Sequence, residues 1–138
     1  MRLALDSNVL IAALAGHEKH SLVAQQLVRD IAGGKHQAIA SSIAYGEVLG
    51  IASKSANELD VQNFFFHIQH FATIAADDDI CLKAGQLRRR YGNRLKLPDA
   101  LHVATALSAG VDVFITNDLS LAKFAQKLLP TKSLASWR

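Results

Sequence analysis

The sequence predicts an α/β fold, a mainly parallel β-sheet sandwiched between helices. Three observations predict it. Short β-like apolar runs alternate with longer stretches of helical periodicity along the chain, the pattern of strand–helix–strand units. The run 111–115 is almost continuously apolar, as a strand covered on both faces must be. Half of the residues are hydrophobic but only 7% are aromatic, so the core must be built from Leu, Ala, Ile and Val. That mix suits helices packed on a sheet.

Each element has a local reason. Arg2–Leu5 reads as the first strand and runs into Asp6-Ser7-Asn8, a helix-start cluster before a short apolar helix over 9–14. Ser21–Ala32 carries Val23, Leu27 and Ile31 at helical spacing, and Gly33-Gly34 stops it. A short strand is expected over 37–40. Ser41-Ser42 can cap the next helix, which carries Glu47, Val48 and Ile51. Glu58–His67 is a further helix, 71–75 a further strand. Asp77, Asp78 and Asp79 precede a helix with Ile80, Ala84, Leu87 and Tyr91 on one face, and read as an N-cap with dipole-favourable charge rather than a metal site. Pro98 fits the first turn of a helix that Gly110 ends. After the strand 111–115, residues 119–129 read as a helix closed by Pro130, and 133–137 as a last edge strand. No repeat, low-complexity tract or linker divides the chain, so 1–138 is expected to be a single domain around one core.

Composition narrows the function classes. The single Cys81 excludes an internal disulfide and a cysteine-rich zinc site; among apolar helical neighbours it is expected to be a buried, inert thiol. No signal peptide and no membrane span of ~20 apolar residues is evident, which makes a cytoplasmic protein the expectation. The net charge of +3 is mildly basic, and its distribution is more telling. Between residues 80 and 98 no acid occurs, whereas Lys83, Arg88, Arg89, Arg90, Arg94 and Lys96 are basic. Such a run is ordinarily a solvated helix face. Here it leads into Asp99, so contact with the phosphates of a polyanion stands beside that reading.

The acids fall at telling places. Asp6 follows the first strand and Asp118 follows the strand 111–115, and the carboxyl ends of parallel strands form the edge where ligands bind. Glu47 sits inside a helix among apolar neighbours, where an unpaired carboxylate is costly, and a metal ion is one partner that relieves it. Asp99 begins the helix that feeds the strand 111–115; crossover geometry alone does not bring it to the same edge. Carboxylates gathered at one point repel, and oxygen donors without His or Cys select a hard cation, Mg²⁺ or Mn²⁺. The chain has no Gly-rich phosphate loop, H-E-x-x-H pair, G-x-S-x-G elbow or dinucleotide fingerprint. His102, one turn after Asp99, reads either as a half-buried packing residue or as a contact to the substrate or to Asp99. His67 and His70 read as surface. Phe64, Phe65 and Phe66 cannot all face one way, so part is expected in the core and part on a dimer or partner surface.

Four segments, Leu5-Asp6-Ser7-Asn8-Val9-Leu10-Ile11, Ser42-Ile43-Ala44-Tyr45-Gly46-Glu47, Leu97-Pro98-Asp99-Ala100-Leu101-His102 with the residues through Ala106, and Phe114-Ile115-Thr116-Asn117-Asp118, give the chain a resemblance to a known family. It resembles the PIN-domain ribonucleases, and among them the VapC-type toxins of toxin–antitoxin pairs. The resemblance implies a three-layer α/β/α sandwich and a Mg²⁺- or Mn²⁺-dependent endoribonuclease that leaves a 5′-phosphate and a 3′-hydroxyl. It implies a catalytic quartet of Asp6, Glu47, Asp99 and Asp118, with Asp6, Asp99 and Asp118 as metal ligands. Ser7, Asn8, Thr116 and Asn117, beside quartet members, are then donors that orient the carboxylates. A structured substrate such as transfer or ribosomal RNA, a cognate antitoxin covering the acids and a homodimer also follow from the resemblance. Two alternatives stand beside it. A haloacid-dehalogenase-like phosphatase also begins strand–Asp, but needs a second acid where this chain has Asn8. A PIN-like module that binds RNA or protein without cleaving would have no use for four acids.

Overall fold

The computed structural model describes residues 1–16, 18–52 and 58–137. Five parallel strands, β1 (Arg2–Leu5), β2 (Gln37–Ser41), β3 (Phe71–Ile74), β4 (Val113–Thr116) and β5 (Thr131–Ser133), lie in the order β3-β2-β1-β4-β5. β1 is central: Leu3 pairs with Ala38 of β2 on one side and Val113 of β4 on the other. The alternation of the strands builds two cores. Leu3, Leu5, Ala38, Ala40, Val113 and Ile115 point to one face, and Ala4, Ile39 and Phe114 to the other. Helices α1 (Ser7–Ala15), α2 (Ser21–Ala32), α3 (Ala44–Ala52) and α4 (Glu58–His67) cover the first face. Helices α5 (Asp78–Tyr91), α6 (Leu97–Ala109) and α7 (Leu119–Ala125) cover the second. The result is the three-layer α/β/α sandwich.

The chain winds outward from β1 to β2 and β3, then returns to the other side of β1 for β4 and β5. The reversal falls between β1 and β4. At such a point the helices depart to opposite faces and leave a crevice at the carboxyl ends of the strands. Asp6 and Asp118 follow those two strands.

Between β3 and β4 the chain makes a helical hairpin. α5 and α6 run antiparallel, so that Lys83 near the start of one reaches Ser108 near the end of the other, Nζ to Oγ 3.3 Å. A short 3₁₀ turn, Gly92–Arg94, joins them, its Gly92 at φ +73°, where a side chain would be strained. Arg88 Nε donates to the Leu95 carbonyl at 3.0 Å and fixes the hairpin tip.

Three sequence expectations need correction. The last strand is Thr131–Ser133, not 133–137: pairing starts early because Phe114 N–H donates to the Pro130 carbonyl at 2.9 Å. Residues Leu134–Ser136 form a 3₁₀ turn that seats Trp137 in the first core. α7 ends at Ala125 rather than 129, in turns that pack Leu128 and Leu129 on the second core. Cys81 is exposed, because the buried stripe of α5 runs through Ile80 and Ala84 and Cys81 lies a residue off it.

The acids before α5 are a cap, as expected: Asp77 accepts from Ile80 N–H at 3.0 Å. Phe65 is in the core with Phe64 packed edge-on against it, and the Phe66 side chain lies outside the described residues. His67 and His70 are exposed. Among the described residues, no helix is long and apolar enough to cross a membrane.

Candidate active site

Asp6 is the buried centre of the site, 3% exposed. Its backbone N–H donates to the Ile115 carbonyl at 2.9 Å, extending the β1–β4 pairing one residue past β1. Thr116, at the end of β4, donates its hydroxyl proton to Asp6 Oδ2 at 2.7 Å. The same Oγ1 accepts from Asn8 Nδ2 at 3.2 Å and from Asp118 N–H at 3.1 Å. A hydroxyl has one proton and two lone pairs, so these bonds commit the proton to Asp6. Asn8 Oδ1 also accepts from Asn117 N–H at 2.8 Å, and Asn117 Nδ2 donates to the Lys19 carbonyl at 2.8 Å. Asn8, Thr116 and Asn117 thus tie the first turn of α1 to the end of β4 and the segment after it. Burial raises the Asp6 carboxyl above its usual range, against the opposing pull of His102 and Thr116.

Asp118 caps α7, accepting at Oδ1 from Ser120 N–H at 2.9 Å and Leu121 N–H at 3.1 Å. Capping through Oδ1 fixes the carboxylate, and the residue is exposed beside Asp99 in one groove. Asp99 lies in the first turn of α6 behind Pro98 and is half-buried. Its carboxyl is pushed up to about 6, first by burial and then by the charges of Asp6 and Asp118. It therefore does converge with them. The helical hairpin explains how: α6 packs across β2 and β1, and this brings its first turn to the carboxyl edge beside Asp118.

Glu47 is not sealed among apolar side chains. It leaves α3 toward the acids, one-third exposed, and its partner is His102, Nε2 to Oε1 2.7 Å. That bond, with help from Ser7, holds the Glu47 carboxyl below its usual range. His102 is fully buried rather than half-buried, and its Nε2 is also 3.6 Å from Asp6 Oδ1. Burial alone would lower its pKa; the Glu47 hydrogen bond and the charges of Asp6, Glu47 and Asp99 outweigh burial and raise it. Its contacts are with Glu47 and Asp6, not with Asp99 as the helical spacing suggested. The sequence signal was there in two halves: a helical Glu in need of a partner, and a His one turn beyond Asp99.

The basic run divides. Lys83, Arg88 and Arg90 are engaged within the hairpin, on Ser108, the Leu95 carbonyl and the Tyr91 ring. Arg89 is exposed. Arg94 and Lys96 line a groove of ≈ 410 Å³ together with Asp99 and Asp118. Its other wall is Lys123 and Lys127, which sequence reasoning missed although no acid follows Asp118 to the end of the chain.

Among the described residues, no three His, Cys, Asp or Glu side chains close tightly enough around one point to hold a metal ion. The donor chemistry fits a divalent cation nonetheless. Asp6, Asp99 and Asp118 offer only oxygen atoms, and the rise of Asp99 records a repulsion that a hard cation would relieve.

A buried aspartate thus lies at the β1–β4 reversal, with further acids brought near it from α3, α6 and the end of β4. The chain matches the PIN-domain family over residues 3–127 and belongs to that family. No curated protein sequence matches it. Solved structures do. A chain of the DNA-bound VapBC complex from Salmonella typhimurium superposes with a TM-score of 0.71 at 21% identity, covering 97% of this chain and 98% of that one. A chain of VapBC2 from Rickettsia felis, bound to a promoter DNA fragment, gives 0.70 at 19% identity, covering 96% and 98%. A toxin–antitoxin complex from Klebsiella pneumoniae gives 0.64 at 28% identity, covering 84% and 86%.

Proposed function

We propose that the chain is a Mg²⁺- or Mn²⁺-dependent endoribonuclease and the toxin of a toxin–antitoxin pair. The observation that carries the reading is the gathering of acids at Asp99, which lines one groove with Asp118 and whose carboxyl, raised to about 6 first by burial, is pushed further by the charges of Asp6 and Asp118. Natural sequences rarely keep carboxylates in mutual repulsion without a cation to offset it.

Asp6, Asp99 and Asp118 would hold the ion. When bound, it would polarise a phosphate oxygen and ease deprotonation of the attacking water. The remaining work belongs to the chain. Thr116 and Asn8 fix the Asp6 carboxylate, and the α7 cap, which uses Oδ1, fixes that of Asp118. Glu47, kept ionised by His102 and partly exposed, is the carboxylate left to take a proton from water, acting as general base. His102 then steadies that pair rather than touching substrate. Ser7, at the start of α1, also hydrogen-bonds Glu47, and Asn117 holds the segment after β4 against Asn8.

The toxin assignment draws on the solved neighbours, several of which are VapBC complexes, and on Mycobacterium tuberculosis VapC20, described as a sarcin–ricin-loop-cleaving toxin, with a TM-score of 0.67 at 13% identity. Structured RNA of the ribosomal or transfer class is the proposed substrate. A cognate antitoxin is the proposed partner, placing a basic side chain among the acids, and a homodimer the proposed assembly. Incubation of total cellular RNA with the chain in Mg²⁺, Mn²⁺ or EDTA, beside Asp6→Asn, tests the reading. Discrete fragments with 5′-phosphates should appear only with metal and only from the unsubstituted chain. Cleavage in EDTA, or full activity of Asp6→Asn, would refute it.

A further inference from the structure

Carboxylates gathered at one point can hold one divalent cation or two, and a pair of ions needs to lie ~4 Å apart. The acids here reach Asp6 from opposite faces of the sheet. Glu47 comes from α3 on the first face, Asp99 from α6 and Asp118 from the cap of α7 on the second. Asp99 and Asp118 line one groove, and Glu47 is not in its lining.

The two sides are served differently. Glu47 Oε1 accepts from His102 Nε2 at 2.7 Å; an ionised carboxylate only accepts, so Nε2 carries the proton. The same nitrogen lies 3.6 Å from Asp6 Oδ1. The ring is 2% exposed, and α6 is packed around it through Ala100, Val103 and Ala106, so it cannot swing aside. Its Nδ1 has no partner among the described residues, which leaves the acids as the ring's polar partners. On the other side, the Asp99 carboxylate accepts no hydrogen bond and forms no ion pair among the described residues. A cation shared by Asp6 and Glu47 would have to come within ~2.1 Å of an oxygen of each. The N–H edge of His102 already lies against both carboxylates, and a nitrogen that holds a proton repels a cation and offers it no lone pair.

We propose that His102 fills the place a second cation would take, so that the four acids bind a single divalent ion on the Asp99 and Asp118 side of Asp6 and Glu47 stays off the metal. His102 is then a positioning residue, which keeps Glu47 free to accept a proton from water. The inference rests on the metal-dependent reading above and adds to it the number of ions and the residue that sets that number.

Titration of the full chain with Mn²⁺, counted by loss of the free-ion EPR signal and by the spectrum of the bound ion, tests it without RNA. The wild type should bind one ion per chain, with the spectrum of an isolated ion. His102→Ala opens the space beside Glu47 and should raise the count to two, with the spin-coupled signal of a close pair. His102→Gln, whose amide N–H can stand in for that of Nε2, should return the count to one. Glu47→Gln should keep the wild-type count and most of the affinity, where Asp99→Asn loses most of it. A spin-coupled pair in the wild type would overturn the inference and leave the metal-dependent reading standing. A His102→Ala chain that melts cooperatively and still binds one ion would do the same, as would a Glu47→Gln chain that loses as much affinity as Asp99→Asn. Should His102→Ala fail to fold, the wild-type count and Glu47→Gln decide. A wild type with no saturable binding refutes the metal-dependent reading and this inference together.

Discussion

Replacing Asp99 by Asn should stabilise the metal-free protein. An ordinary aspartate sits at 3.8 and Asp99 at about 6, so at neutral pH its charge is held against the preference of its surroundings. That difference corresponds to ~3 kcal/mol at ~1.4 kcal/mol per tenfold change in proton affinity. Asp99 is only half-buried, and solvent screening reduces the figure to about 1–2 kcal/mol. The sign follows from linkage. Because the folded state binds this proton more tightly than the unfolded state, the wild type loses stability as pH rises from ~4 through ~6. Asn carries no such charge, so Asp99→Asn should melt about 3–8 °C above the wild type at pH 7.5 in EDTA. The gap should close as pH falls toward 4. Thermal unfolding across that range measures it. Adding Mg²⁺ should stabilise the wild type more than the variant. A variant less stable than wild type at pH 7.5, or a gain that does not fade with acid, would refute the electrostatic reasoning.

Two further outcomes follow from the hydrogen bonds. Thr116→Val keeps the shape but removes an oxygen that serves Asp6, Asn8 and the Asp118 N–H, and should cost about 1–3 kcal/mol in urea unfolding. Glu47→Gln removes the charge that raises His102, so the imidazole should titrate at lower pH than in the wild type when followed by NMR in EDTA. An unchanged midpoint would show that Glu47 does not set that pKa and would leave it to Asp6 and Asp99.

How much was legible in the chain depended on whether the deciding force was local. α2 matches its expected bounds because Gly33 and Gly34 end it within the sequence, and β1 because its apolar run is bounded by Asp6. Asp6 and Asp118 could be placed from parallel-sheet topology alone. Asp99 could not, because its position depends on α5 and α6 folding as a hairpin across the sheet, a packing decision between helices that no single helix records. The same applies to His102 and Glu47, whose hydrogen bond joins elements 55 residues apart. Cys81 was misjudged by a single residue of helical phase, which is a rotation of about 100° and enough to exchange core for solvent. The last strand was displaced for a similar reason, since a carbonyl of Pro130 that pairs with β4 leaves no trace in local periodicity. Lys123 of α7 and Lys127 of the turn after it look merely solvated until the hairpin tip is seen lining the same groove.

Direct titration with Mn²⁺, followed by calorimetry or by loss of the free-ion EPR signal, addresses the metal site itself, separately from any RNA. Saturable binding at neutral pH is expected, weakening as pH falls below about 6, where Asp99 takes up its proton. Asp6→Asn and Asp99→Asn should each lose most of that affinity, while R89Q/R90Q should retain it. Absence of saturable binding, or equal binding by the acid variants and the wild type, would contradict the assignment of Asp6, Asp99 and Asp118 as the residues that hold the ion.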